Sequence, residues 1–100
     1  MKISYAITVC NEHKEIEKLL TFLFEHKRKE DQVVVQMDKD NVTDKVFNIC
    51  ERFESHPFDE YRLIQCSLNK NFAEYKNNLN KNCDGDWIFQ IDADEVPNEY

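Results

Sequence analysis

The sequence predicts an α/β fold: a βαβαβαβ unit around a mainly parallel sheet with helices on both faces. Three observations predict it. Four short β-favouring runs (3–9, 32–37, 61–68 and 87–91) alternate with segments whose apolar residues recur at helical spacing. The first run is uncharged on both of its faces, as a strand buried from both sides must be. One Gly and two Pro in 100 residues leave little chain for loops.

In the first strand Ile3, Tyr5, Ile7 and Val9 share one face, while Ser4, Ala6 and Thr8 share the other. Cys10-Asn-Glu-His13 forms the exit loop. Ile16, Leu19, Leu20, Leu23 and Phe24 then fall at i, i+3, i+4, i+7 and i+8, one apolar helical stripe. Asn11 is the expected cap, and Lys27, Arg28 and Lys29 suit the negative end of the helix dipole. The valine-rich run 32–37 is the second strand. Val42, Val46, Ile49, Cys50 and Phe53 form a second stripe, capped by Asn41 or Thr43. Residues 55–59 make a loop, and Tyr61, Leu63 and Ile64 mark the third strand. A third helix over 72–82 follows, although its asparagines are poor helix formers. Gly85 serves the next turn as a helix cap or a positive-φ residue, and 87–91 is the fourth strand.

Composition narrows the partners. A formal net charge of −7 and the absence of a basic stripe exclude a nucleic-acid backbone. No apolar run reaches the ~20 residues of a membrane span. Cys10, Cys50, Cys66 and Cys83 include no close pair for zinc, and as free thiols in apolar segments they point to a reducing, cytoplasmic location. The chain ends nine residues after the fourth strand, so 1–100 is expected to be the front part of a larger domain.

The acids carry the chemistry. The fourth strand runs straight into Asp92-Ala-Asp94-Glu95, and an unpaired carboxylate at the end of an apolar strand is either solvated or faces a cation. Asp-x-Asp occurs three times among nine Asp, so position must separate the copies. Asp84 and Asp86 flank Gly85 and are turn residues. Asp38 and Asp92 each follow a strand. With the strand order 3-2-1-4 of a Rossmann-like half, these two acids face each other across the tip of the first strand, roughly 10 Å apart. That gap suits a nucleoside. Asp94, two residues further out, would reach a diphosphate through Mg²⁺ or Mn²⁺. Gly85 is the sole glycine, which excludes a Walker loop and the G-x-G-x-x-G fingerprint. An EF-hand also fails, because Thr43 and Ile49 stand where the loop needs Gly and Glu. Lys76, early in the third helix, is placed to pair with Asp92 or to approach the nucleotide.

Residues 3–12, the valine strand ending at Asp38, Asn71-Phe-Ala with Lys76-Asn77, and Gly85 to Glu95 together resemble family 2 glycosyltransferases of the GT-A fold. The resemblance spans essentially the whole chain. It implies an inverting transfer from a nucleotide-diphosphate sugar, with this chain as the donor-binding portion. Asp38 resembles the acid that contacts the nucleobase, with Asp40 a rival because the register after the second strand is ambiguous. Thr8, Cys10, Asn11 and Glu12 match the loop under the nucleotide. Lys76 stands where the family carries Arg, and gives up the planar guanidinium fork. Asp92 resembles the ribose-contacting acid, followed by Ala93, and Asp94 the metal-binding acid. The general base that deprotonates the acceptor is expected beyond residue 100, as is the site for the acceptor, whether glycan, lipid or protein. A receiver-like fold is the competing α/β reading, but its acids cluster after the first and third strands, and Ser67-Leu-Asn-Lys70 contains none. A non-catalytic nucleotide- or partner-binding module is the other alternative.

Overall fold

The computed structural model describes residues 1–55, 60–67 and 71–93. Its elements run in the predicted order: β1 (Ile3–Val9), α1 (His13–His26), β2 (Gln32–Asp38), α2 (Asp44–Arg52) with a 3-10 turn at Phe53–Ser55, β3 (Glu60–Cys66), α3 (Phe72–Lys81) and β4 (Trp87–Asp92). The four strands form one sheet in the order β3-β2-β1-β4, and every pairing is parallel. The fold is the Rossmann-like α/β arrangement that the periodicities predict.

Two apolar layers hold the sheet. On one face Ile7, Val9, Val33, Val35 and Met37 pack against Ile16, Leu19, Leu20 and Leu23 of α1 and against Val46 and Cys50 of α2. On the other, Ala6 and Val34 meet Leu79 of α3. The alternation along β1 sorts its side chains between the layers. Every residue of β2 is buried, including Gln32 and Gln36, whose amides are satisfied. The Gln32 carbonyl oxygen accepts from the Ser4 hydroxyl at 2.8 Å and from Asp84 N–H at 2.9 Å. Gln36 donates to the Tyr75 carbonyl at 2.8 Å and accepts from the Asn78 amide at 2.7 Å.

Two local expectations are corrected. Asn11 does not cap α1 with its side chain. Glu12 holds the cap position, and its carboxylate folds back to accept from Cys10 N–H at 3.1 Å. The basic run does lie at the C-terminal end of α1, with Lys27 as its C-cap. Arg28 is turned onto the buried Asp31 carboxylate, donating from Nη2 at 2.9 Å and Nε at 3.1 Å. Gly85 neither caps α3, which ends at Asn82, nor needs a positive φ. Its backbone lies so close to β1 that an added Cβ would stand 2.6 Å from both the amide nitrogen and the hydroxyl oxygen of Ser4. Thr43, not Asn41, caps α2, with Oγ1 accepting from Val46 N–H at 3.3 Å.

The four cysteines are free, as expected, but only Cys50 is fully buried. Among the described residues no helix is long and apolar enough to cross a membrane. Of the loop predicted over 55–59, Ser55 ends the 3-10 turn and 56–59 lie outside the described residues, as do the end of the third strand at Leu68, Asp94 and Glu95.

Candidate functional site

In a parallel sheet all strands end on the same side, so the ends of β1, β2 and β4 meet at one edge of the molecule. There they line a cleft of about 260 Å³ formed by Thr8, Val9, Cys10, Glu12, Asp38, Phe72, Tyr75, Asp92 and Ala93. The register explains the grouping. Thr8 is paired with Gln36 on one side and with Asp92 on the other, so β1 ends between the two acidic strand ends.

Asp38 forms one wall. The residue is 7% exposed, and its carboxylate is held by Asp40 N–H at 3.2 Å and the Asn41 amide at 2.9 Å. Its carbonyl closes the turn by accepting from Val42 N–H at 2.8 Å. The rival acid, Asp40, is exposed, lies outside the cleft lining and bonds to the Ser67 hydroxyl. Asp92 forms the opposite wall. One of its oxygens accepts from Thr8 Oγ1 at 2.8 Å and from Lys76 Nζ at 3.2 Å. Lys76 and Asp92 thus pair as their positions predict. Ala93 N–H donates to the Thr8 carbonyl at 3.0 Å, which extends the β1–β4 ladder past Asp92 and fixes that carboxylate's height above the sheet.

The floor is the β1 exit. Burial pushes the Cys10 thiol up, and the nearby carboxylates of Asp38 and Glu12 add to the effect. Cys10 therefore stays a neutral thiol at neutral pH and not a nucleophile. Tyr75 is anchored beneath the cleft with its hydroxyl directed at the Gln36 carbonyl, 3.4 Å away, and its acidity is suppressed, first by burial and then by Asp38. Asn11 is exposed and lies outside the lining, and Asn77 faces a different groove, beside β3.

Sequence reasoning did not place Phe72 and Tyr75 in this cleft. The available signal was their spacing with Leu79, an i, i+3, i+7 stripe that runs from the core of α3 to the strand ends. Two larger grooves, of about 510 and 690 Å³, lie beside α1 and α2 and beside α3 and β3, and neither contains Asp38 or Asp92. The site is assigned by its convergent acids, not by volume.

Among the described residues no three His, Cys, Asp or Glu side chains cluster for a metal ion. The carboxylate oxygens at this edge are hard donors of the kind Mg²⁺ and Mn²⁺ take. Asp92 already faces a cation in Lys76.

Comparison with known proteins agrees with the fold. No curated protein matches the chain. Among solved structures, TarS residues 1–349 from S. aureus superimposes with a TM-score of 0.79 at 25% identity, over 96% of this chain and 28% of that one. A second TarS structure, in complex with UDP, gives 0.79 at 24% identity over 96% of this chain. The mannosyltransferase PcManGT from Pyrobaculum calidifontis, solved with GDP-Man and Mn²⁺, gives 0.80 at 24% identity over 94% of this chain. The chain thus spans 28% of the length of each of these structures. Residues 4–100 match glycosyl transferase family 2, the family that the sequence resembles, and the chain belongs to it.

Proposed function

We propose that this chain is the donor-binding portion of an inverting, metal-assisted glycosyltransferase that uses a nucleotide-diphosphate sugar. The observation that carries this reading is the pair Asp38 and Asp92 on opposite walls of one cleft, with the tip of β1 between them. In this reading Asp38 accepts hydrogen bonds from the nucleobase and Asp92 from the ribose hydroxyls. Thr8 and Lys76 hold Asp92 in place, and the Lys76 ammonium adds positive charge on the side where a diphosphate would lie. Cys10, Asn11 and Glu12 form the loop under the nucleotide, and the small Ala93 keeps the backbone close. Asp94 is the residue assigned to Mg²⁺ or Mn²⁺, because it matches the metal-binding acid of the family that the sequence resembles. When bound, such an ion neutralises charge on the diphosphate leaving group. GDP-Man and Mn²⁺ in PcManGT and UDP in TarS support this ligand class.

The general base and the acceptor site are assigned to the part of the protein beyond residue 100, so residues 1–100 alone transfer little or no sugar. Thermal unfolding with UDP, GDP and dTDP, each with and without Mn²⁺, tests the donor site. A ligand at ~100 times its dissociation constant adds about 2.7 kcal/mol, several degrees for this size. The expected result is a metal-dependent rise for one nucleotide, reduced in Asp92→Asn and Asp94→Ala. A cooperative melt that no nucleotide moves would overturn the donor-site reading in favour of a partner-binding module. Robust turnover of labelled donor by residues 1–100 would overturn the assignment of catalysis to the remainder.

A further inference from the structure

Phe72 is 60% exposed, yet it lines the same cleft as Asp38 and Asp92. The other apolar residues there are covered: Val9 is 3% exposed, Tyr75 5% and Ala93 1%. The cleft therefore offers one large bare apolar surface, and it is an aromatic ring. That ring is braced. Phe72 is the first residue of α3, directly after Asn71, whose side chain caps the helix by accepting from Glu74 N–H at 3.1 Å. Its centroid lies 6.4 Å from that of the buried Tyr75 ring, and Lys76 Nζ stands 5.4 Å from its own centroid while also binding Asp92. The polar side of the cleft consists mostly of acceptors, the carboxylates of Glu12, Asp38 and Asp92, and the Thr8 hydroxyl proton is already donated to Asp92.

A ligand that matches both sides has N–H and O–H donors and a flat π face. Sugars supply donors without that face, whereas a nucleobase supplies both. We infer that Phe72 is the stacking platform for the nucleobase and Lys76 the strut that keeps its ring turned towards Asp92. The inference rests on the donor-site reading above and adds to it a residue that sets affinity for the base. Because every base has a π face, such a platform supplies affinity for a nucleotide without choosing the base.

The test is calorimetric binding of UDP and GDP, with inorganic diphosphate and ribose 5-phosphate as probes that lack a base, to the wild-type chain and to Phe72→Ala, Phe72→Leu and Phe72→Tyr. Each variant is first checked by a thermal melt. Phe72→Ala and Phe72→Leu are expected to weaken nucleotide binding about ten- to a hundredfold, to leave the base-free probes unchanged, and to be rescued by Phe72→Tyr. In a Trp87→Phe background, which removes the sole tryptophan, Phe72→Trp should be quenched by added nucleotide. Nucleotide binding by wild type that Phe72→Ala does not weaken overturns the platform and leaves the donor site standing. An equal loss for the base-free probes also overturns it, since the ring would then act only through Lys76 and Asp92. No nucleotide binding by the wild-type chain overturns the donor site and the platform together.

Discussion

Lys76 Nζ and Asp92 Oδ1 stand 3.2 Å apart, joining the first turns of α3 to the end of β4, although only Asp92 lines the cleft. Both side chains keep some solvent contact, so the pair adds less than about 1 kcal/mol to stability. Its value is positional. Lys76→Met should leave the melting temperature nearly unchanged and weaken nucleotide diphosphate binding about tenfold, whereas Lys76→Arg should retain binding. Parallel melts and titrations check both.

Asp38 and Asp40 are separated by one residue and by their surroundings. Asp38 is buried in the cleft wall, while Asp40 is exposed. Asp38→Asn should lower nucleotide affinity about tenfold and Asp40→Asn by less than twofold, as read by calorimetry. The opposite ranking would assign the base contact to Asp40.

Gly85→Ala forces a methyl group to 2.6 Å from the backbone nitrogen of Ser4. Two strands must separate to admit it, at a cost of about 1–3 kcal/mol. A fall of several degrees in the melting temperature is the expected outcome, with no change in nucleotide affinity once the protein is folded.

Asp31 supplies a pH signature. Hydrogen bonds from Arg28 hold its carboxyl below the ordinary range, burial opposes them, and Ile3 N–H, bonded at 2.9 Å, adds to the lowering. A depressed folded value means that the stabilisation is full above the unfolded pKa of about 3.9 and is lost as pH falls through the folded value. Asp31→Asn should therefore cost about 2 kcal/mol at pH 7, and the gap to wild type should close below about pH 4 in a denaturant series.

Cys50 is fully buried, and burial pushes its thiol up to about 12. A maleimide at pH 7 should modify it only on unfolding. Cys10, half-buried in the cleft, should react slowly and be protected by a bound nucleotide. Mass spectrometry after timed labelling checks both.

The sheet was legible because its signals are local. Alternation along β1 and the spacing of Ile16, Leu19, Leu20 and Leu23 each require only a few neighbouring residues, and the strand order is the one supposed by analogy with a Rossmann-like half. Asp38, Asp92 and Lys76 came together for the same reason, since strand ends and a helix start sit where topology puts them. The features that were missed depend on partners distant in sequence. Gly85 lies against Ser4, 81 residues away, and Asn78, a poor helix former, donates to Gln36, 42 residues away. Phe72 reads as one more member of a core stripe, and only the position of α3 at the strand ends shows its ring to be bare.

The complete burial of β2 has a consequence for time as well as for energy. Its amides are paired on both sides and covered on both faces, so their hydrogen exchange should require global unfolding, while the rim strands β3 and β4 open by local fraying. Asp38 ends that slowest-exchanging strand. One wall of the cleft thus belongs to the last strand to open, while the opposite wall, Asp92, ends a rim strand that frays first.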